Sequence, residues 1–305
     1  FFFGEPIISS NFAFENKSIH MNNGEYNKNI VIKGNIIDTS NPIVMAIINS
    51  TPDSFYSGSR HSSKEEVKKS AERAINEGAS ILDIGGYSTR PGAPEVTEQE
   101  EIDRVCMALG AIREEWPEIP ISVDTFRSSV AKISVKEFDA DIINDVYGGE
   151  MDKTLFSTMA ELQVPYILMH SKGNPQTMQN MTEYSDFESD ILRYFSEKIK
   201  QLRDAGFNKE IIIDPGYGFA KTVEQNYQLL NDLSLFECFN APILVGISRK
   251  SMIFKPLEIT PLEALNGTTI LNTFAIERGA NILRVHDVRQ AMEVIKLHHL
   301  LKNRQ

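Results

Sequence analysis

Eight short apolar runs recur along this chain of 305 residues, each closing on a polar or charged side chain, and most are followed by a stretch of helical periodicity. The runs are Ile43–Ile48 before Asn49, Ile81–Leu82 before Asp83, Ile121–Val123 before Asp124, and Ile142–Ile143 before Asn144. They continue with Tyr166–Met169 before His170, Ile211–Ile213 before Asp214, Ile243–Ile247 before Ser248-Arg249-Lys250, and Ile282–Val285 before His286. Parallel neighbours need a crossover connection, so alternating strand and helix implies a parallel sheet. Eight such units predict an α/β fold, a single (β/α)8 TIM barrel, in which the C-terminal strand ends converge on one mouth. Core building explains the Ile and Val residues. It does not explain eight polar groups at the same place in the unit, and their convergence predicts an enzyme.

Composition narrows the partners. The 41% hydrophobic content is that of a soluble globular protein, and no apolar run approaches the ~20 residues of a membrane-spanning helix. A net charge of −11 argues against nucleic acid as the main partner. It does not argue against an anionic small molecule, because a few cations in a cleft can dominate the local field. Neither cysteine belongs to a metal-type cluster. Cys106 shares an apolar face with Ile102, Val105, Leu109 and Ile112, which predicts a buried, reduced thiol and a cytoplasmic protein. Phe1-Phe2-Phe3-Gly4 begins a segment without the features of a signal peptide. Residues 1–25 are expected to be a disordered or added extension, with Met21 a natural start, and 26–305 the barrel domain.

Asn29–Ile32 and Asn35–Asp38 flank Lys33-Gly34, which predicts an N-terminal β-hairpin covering the N-terminal end of the barrel. Ser62 or Ser63, each with a glutamate three positions on, predicts the start of the first helix. Its apolar stripe is Val67, Ala71, Ala74 and Ile75. Thr97 with Glu100 repeats the capping signature, and further helices are expected over 127–137, 153–163, 186–205, 223–236, 261–278 and 287–302. Two strand-to-helix connections, 49–61 and 85–95, are long and rich in Ser, Thr, Pro, Gly and Arg. Long ordered loops often bind or cover substrates.

Asp83, Asp124, Asn144 and Asp214 offer three carboxylates and an amide around one mouth. A carboxylate can accept two parallel N–H bonds, which suits a ring bearing an amino group beside a ring N–H. Asn144 can both donate and accept. Arg284 and His286 lie two apart and share a side of an extended segment. With Ser248-Arg249-Lys250-Ser251 they fall where barrels bind phosphate. The plainer alternatives are an ion pair for Arg284 and a helix-start role for His286. No His-x-His pattern suggests a tight zinc site, whereas a hydrated Mg2+ held by one protein oxygen and substrate phosphates is compatible.

Taken together these segments resemble the dihydropteroate synthase family of folate biosynthesis. The matching stretches are Ile48-Asn49-Ser50-Thr51-Pro52-Asp53-Ser54-Phe55, Asp83-Ile84-Gly85-Gly86-Tyr87-Ser88-Thr89-Arg90-Pro91-Gly92 and Ile121-Ser122-Val123-Asp124-Thr125. Then come Ile143-Asn144-Asp145, Met169-His170 with Pro175-Gln176-Thr177-Met178, and Asp214-Pro215-Gly216-Tyr217-Gly218-Phe219. Ser248-Arg249-Lys250-Ser251 and Arg284-Val285-His286-Asp287 complete the set in family order.

The resemblance implies condensation of 6-hydroxymethyl-7,8-dihydropterin diphosphate with p-aminobenzoate, loss of pyrophosphate, Mg2+ as cofactor and a homodimer. It places the pterin ring on Asp124, Asn144, Asp214 and Lys250, with Met169 and Phe219 against its faces. Asn49, Arg284 and His286 become the pyrophosphate side, Asn49 being the metal contact. Phe55, Thr89, Arg90, Pro91 and Ser251 become the p-aminobenzoate side, where sulfonamides should also bind. Asp124, Lys250, Arg284, His286 and Arg90 are the expected catalytic residues. Tyr87, Ala46, Ser50 and Tyr147 depart from the commoner family residues without removing one of these groups. Two other functions share parts of the pattern: a pterin-dependent methyltransferase serving a corrinoid protein, and a pterin-binding paralogue without turnover.

Overall fold

The computed structural model describes residues 28–49, 64–87, 95–174 and 176–302, with only the backbone described at Asn49 and Gln179. The expected caps Ser62 and Ser63 lie outside the described residues. β1 (Asn29–Ile32) and β2 (Asn35–Asp38) pair antiparallel around Lys33-Gly34. Lys33 and Gly34 have φ of 50° and 82°, the left-handed pair that a type I′ turn requires.

Eight parallel strands follow: β3 (Ile43–Asn49), β4 (Ile81–Gly85), β5 (Ile121–Asp124), β6 (Ile142–Asp145), β7 (Tyr166–Met169), β8 (Ile211–Asp214), β9 (Leu244–Val245) and β10 (Ile282–Val285). Strands β3 to β8 pair in chain order, and β10 lies between β3 and β9. An isolated parallel bridge, Ile213 to Ile243, draws β8 and the last strands together, and Ile213 N donates to Pro242 O at 2.9 Å. The result is the expected barrel, nearly closed. Its helices are α1 (Lys64–Glu77), α2 (Glu98–Glu115), α3 (Ser128–Phe138), α4 (Leu155–Leu162), α5 (Phe187–Asp204), α6 (Val223–Asn231), α7 (Ser251–Phe254), α8 (Leu265–Glu277) and α9 (Val288–Lys302).

The capping signature at Thr97 is realised in full. Glu100 N–H donates to Thr97 Oγ1 at 3.3 Å, and Thr97 N–H donates to Glu100 Oε2 at 2.9 Å. Three expectations change. The helix expected over 223–236 ends at Asn231 and passes into a 3-10 helix, Leu233–Phe239. The helix expected over 261–278 begins only at Leu265, and a short α7 that was not expected precedes it. Cys106 is half-buried, not buried, because the inner face of α2 is made by Val105, Ala108, Leu109, Ala111 and Ile112.

Strand alternation builds the lumen in layers. Met45, Ile81, Ile142, Ile167, Ile212, Leu244 and Ile282 form one buried layer together with Ile30 and Ile32 of the hairpin. The hairpin thus plugs the N-terminal end of the barrel, as its sequence predicts. Lys33 fastens it from outside, with Nζ 3.0 Å from Asp141 Oδ1. Two residues further along the same strands, the inward positions change from Ile to Asp83, Asn144, Met169, Asp214 and Arg284. That change of layer is the origin of the site.

Candidate active site

Asp83 was expected to end its strand, but β4 runs on to Gly85 and leaves Asp83 buried inside the barrel. A carboxylate there requires partners. Arg284 on the far side of the β3 strand supplies them: Nε donates to Asp83 Oδ2 at 2.7 Å, and Nη2 lies 2.6 Å from the same oxygen. Nη2 also donates to Asp124 Oδ2 at 2.8 Å. The ion-pair alternative for Arg284 is therefore present in the structure. None of the described residues accepts from Nη1.

Asn144 Nδ2 donates to Asp83 at 3.2 and 3.4 Å. Its Oδ1 is buried and has no hydrogen-bond partner among the described residues. Leaving such an acceptor unsatisfied costs about 1–3 kcal/mol, a deficit that a bound donor removes. Asp214 Oδ1 accepts from Gly216 N–H at 2.8 Å. Burial raises the Asp214 carboxyl above its ordinary range, against the pull of Lys250. Burial likewise pushes Asp124 up to about 7, opposed by Arg284 and reinforced by Asp83. Lys250 is lowered by burial to about 8, with Asp214 working the other way.

The Ser248–Ser251 segment separates its two cations. Arg249 takes a left-handed φ of 55° and turns away from the lumen. Its Nε and Nη2 pair with Asp287 at 2.8 and 2.9 Å, and Nη1 donates to Leu262 O at 2.6 Å. The expectation that Arg249 joins a phosphate site fails, because this fork has committed its guanidinium. Lys250 faces inward: Nζ donates to Tyr217 O at 2.7 Å and lies 4.7 Å from the Phe219 ring centroid. Ser251 is the first residue of α7 and half-buried.

The Asp214–Phe219 loop is held by a lysine that sequence reasoning passed over. Buried Lys221 donates to Gly216 O at 3.0 Å, Phe219 O at 3.1 Å and His170 Nδ1 at 2.9 Å. Gly216 has φ 75°, and a Cβ there would stand 2.0 Å from His170 O. Only glycine allows this approach. Met169 and Phe219 share a buried cluster at the mouth with Phe126, Val146, Tyr147 and Met178, and Tyr87 packs against it. Phe126 stands edge-on to Tyr87 and Tyr147, with ring centroids at 5.3 and 5.5 Å. Two of the family departures are thus neighbours through one ring. Tyr147 carries a buried hydroxyl without a hydrogen-bond partner among the described residues.

His286 stands beyond β10, with Nδ1 3.0 Å from Ser248 Oγ. Asn49 ends β3, whose strand pairs with β10. The Asn49 side chain, Phe55, Thr89, Arg90 and Pro91 lie outside the described residues. The described site therefore gathers Asp83, Asp124, Asn144, Met169, Asp214, Phe219, Lys250 and Arg284, and adds Lys221. Lys221 had a weak signal in Phe219-Ala220-Lys221, a cation beside the matched loop.

A cluster of buried acceptors facing a cation and two apolar side chains can hold a flat heterocycle by its polar edge. Comparison with known proteins agrees with this geometry. Residues 45–286 match the family model described as "Pterin binding enzyme". The dihydropteroate synthase of Escherichia coli (strain K12) is 44% identical over 266 residues, covering 87% of this chain and 93% of that protein. A Yersinia pestis dihydropteroate synthase solved with a sulfonamide drug complex superposes with a TM-score of 0.85 at 38% identity, covering 90% of this chain and 99% of that one. A Xanthomonas albilineans dihydropteroate synthase solved with 4-aminobenzoic acid gives a TM-score of 0.82 at 34% identity, with coverage of 91% and 99%.

Proposed function

Since the chain belongs to the pterin-binding enzymes and, among them, to the dihydropteroate synthases of folate synthesis, we propose that its substrates are 6-hydroxymethyl-7,8-dihydropterin diphosphate and p-aminobenzoate. It is a transferase that forms a C–N bond. The observation that carries the substrate reading is the orphaned Asn144 Oδ1, buried beside Asp83 in the same layer as Asp214. A pterin edge presents an amino group and a ring N–H, donors of the kind that Asn144 Oδ1 lacks among the described residues. Lys250 and Phe219 offer the ring a cation and an apolar wall, and Met169 offers a second wall.

The difficult event is departure of pyrophosphate, because an arylamine is already a neutral nucleophile at pH 7. The C–O bond to the diphosphate breaks and its electron pair leaves with pyrophosphate. The methylene carbon and the pterin ring share the positive charge left behind, which the Asp124 carboxylate stabilises. The p-aminobenzoate nitrogen then gives its lone pair to that carbon and releases a proton to solvent. Arg284, through Nη1, and His286 bind the departing diphosphate. Phe55, Thr89, Arg90, Pro91 and Ser251 complete the p-aminobenzoate side, where a sulfonamide competes.

The donor set suits a magnesium ion that arrives with the substrate. Among the described residues no group of three or more His, Cys, Asp or Glu side chains could cage a metal. Asp83 and Asp124 are engaged by Arg284. A hydrated Mg2+ needs one protein oxygen when phosphates supply others, and Asn49 at the end of β3 is that donor. When bound, the ion neutralises charge on the leaving pyrophosphate. We place the enzyme in the cytoplasm as a homodimer.

The test measures pyrophosphate release from the dihydropterin diphosphate, with and without p-aminobenzoate, in Mg2+ and in chelator. Release accelerated by p-aminobenzoate, abolished by chelation and yielding dihydropteroate is the expected result. Pterin binding without release would overturn turnover, and no pterin binding would overturn the site.

A further inference from the structure

We infer that Arg249 and Asp287 are positioning residues: their ion pair ties the loop after β9 to the start of α9 and thereby holds Lys250 inside the barrel. β9 is the shortest strand of the barrel, and only Leu244 and Val245 pair with β10. Strand register therefore ends well before Lys250, and the contacts of Arg249 take over its task. Arg249 has φ 55°, a left-handed conformation that a residue with a Cβ holds only when its surroundings over-determine it. Here they do. Its N–H donates to Thr268 Oγ1 of α8 at 3.1 Å, and that hydroxyl donates onward to Ala264 O at 2.8 Å. Its Nε and Nη2 grip both oxygens of Asp287 at 2.8 and 2.9 Å. Nη1 donates to Pro261 O at 3.1 Å and to Leu262 O at 2.6 Å. A guanidinium fork fixes direction as well as distance, which a lysine ammonium does not. Asp287 is itself anchored, since its carbonyl accepts from Ala291 N–H in the first turn of α9 at 3.2 Å.

The left-handed residue sends Arg249 out of the barrel and Lys250 into it. The Lys250 ammonium then donates to Tyr217 O at 2.7 Å. Its charged neighbours are Asp214 of β8, Asp124 of β5 and Arg284 of β10, with Lys221 beyond Phe219. Two of these are cations, and burial strips the ammonium of water. Both effects drive Lys250 outward, and a loop fixed on either side of α8 opposes them. The benefit to the reaction rests on the pterin reading of Lys250 made above; the positioning itself does not.

The experiment compares the full chain with Arg249→Gly and Asp287→Asn. Glycine accepts the left-handed φ without strain, so Arg249→Gly removes the clamp and leaves the backbone conformation allowed. The first readout needs no ligand. It is the pH titration of the Lys250 Cε resonance in selectively 13C-lysine-labelled protein, assigned by its absence from Lys250→Ala. The unmodified protein should titrate near pH 8, where burial places this lysine. In Arg249→Gly the ammonium gains water, and the midpoint should rise toward the ordinary lysine value of about 10.4. Asp287→Asn, which keeps an acceptor for the fork, should raise it less. A mere loss of stability would leave the midpoint of the folded protein in place. The second readout is kcat/KM for the dihydropterin diphosphate, which should fall on the order of 10²-fold in Arg249→Gly, the scale for a misplaced binding group. A folded Arg249→Gly that keeps the unmodified midpoint overturns the inference. If that variant does not fold, an unmoved midpoint in Asp287→Asn overturns it instead. A midpoint that moves while kcat/KM holds overturns the catalytic benefit. A midpoint that moves in a chain that does not turn over the dihydropterin diphosphate even when unmodified overturns the substrate reading and leaves the positioning role standing.

Discussion

At the residue scale the lumen is built at the expense of stability. Burial raises the folded-state pKa of Asp124 from 3.8 to about 7. Between those values the folded protein holds a proton that the unfolded chain has lost, so stability falls as pH rises through the window, and the full cost persists above it. Asp124→Asn removes that cost while keeping an oxygen for Arg284. Thermal unfolding at pH 8 should therefore show a higher Tm for Asp124→Asn than for the unmodified enzyme, accompanied by loss of turnover. A lower Tm would mean that the ionised carboxylate is a net stabiliser. The same residue should set the acid side of the pH profile. kcat/KM for the pterin diphosphate should rise near pH 7 as Asp124 ionises, and fall near pH 8 as Lys250, lowered by burial to about 8, loses its proton. The acid limb should vanish in Asp124→Asn, whatever activity is left. Lys250→Ala and Arg284→Ala should each lower turnover on the order of 10²–10³-fold, the scale for removing one preorganised donor. Near-normal rates in single-turnover assays of both variants would remove them from the mechanism.

At the scale of elements, two clamps organise the mouth and the floor. Arg127 follows Phe126 after β5 and pairs with buried Glu101 of α2, and its Nη2 donates to Val96 O at 2.9 Å. Thr125 donates to the same carboxylate at 2.6 Å, and Arg104 Nη1 reaches Gly86 O at 3.2 Å. The backbone on both sides of 88–94 is thus bound to α2 or to its neighbours. Arg127→Ala leaves Glu101 buried without its cation and should destabilise the fold by about 3 kcal/mol. Glu101→Gln added to Arg127→Ala should recover part of that loss in urea unfolding; additive losses would show that the pair is not coupled. The floor is the hairpin, whose fully buried Ile30 closes the lumen. Much of this was legible in the sequence. The eight runs give the strands, Lys33-Gly34 the hairpin, and Thr97 with Glu100 a helix start. Less legible was which side of a strand a polar residue takes and whom it meets. Arg284 and Asp83 are 201 positions apart and become partners only through strand register. Arg249 and Lys250 look equivalent in sequence, but a single left-handed residue sends one outward and one inward. The run Ile243–Ile247 reads as a full strand, whereas only Leu244 and Val245 pair in β9, where the barrel is closed by one bridge.

For the molecule as a whole, the outer face carries apolar surface that the barrel does not use. The C-terminal segment was open to packing on the barrel or pairing with a second subunit, and α9 has surfaces for both. Val288, Ala291 and Val294 are buried toward the barrel, while Leu297, Leu300 and Leu301 are 63%, 69% and 64% exposed. The neighbouring α8 exposes Ile270 and Phe274 at 47% and 48%. Scattered exposed leucines need no explanation, but apolar side chains on two adjacent helices offer a face that the proposed homodimer would use. A net charge of −11 favours separation of copies, so association has to draw on apolar contact. A homodimer through this face places α8 and α9 against their counterparts by twofold symmetry, each patch meeting itself. Phe274→Glu combined with Leu297→Glu puts like charges on both sides of such an interface. Sedimentation velocity should show a dimer for the unmodified protein and a monomer for this variant. All the described site residues come from one barrel, so the monomeric variant should keep the KM for the pterin diphosphate while its Tm falls. A dimer that survives both substitutions would move the interface to another face, and an unmodified protein that sediments as a monomer would end the proposal of a homodimer.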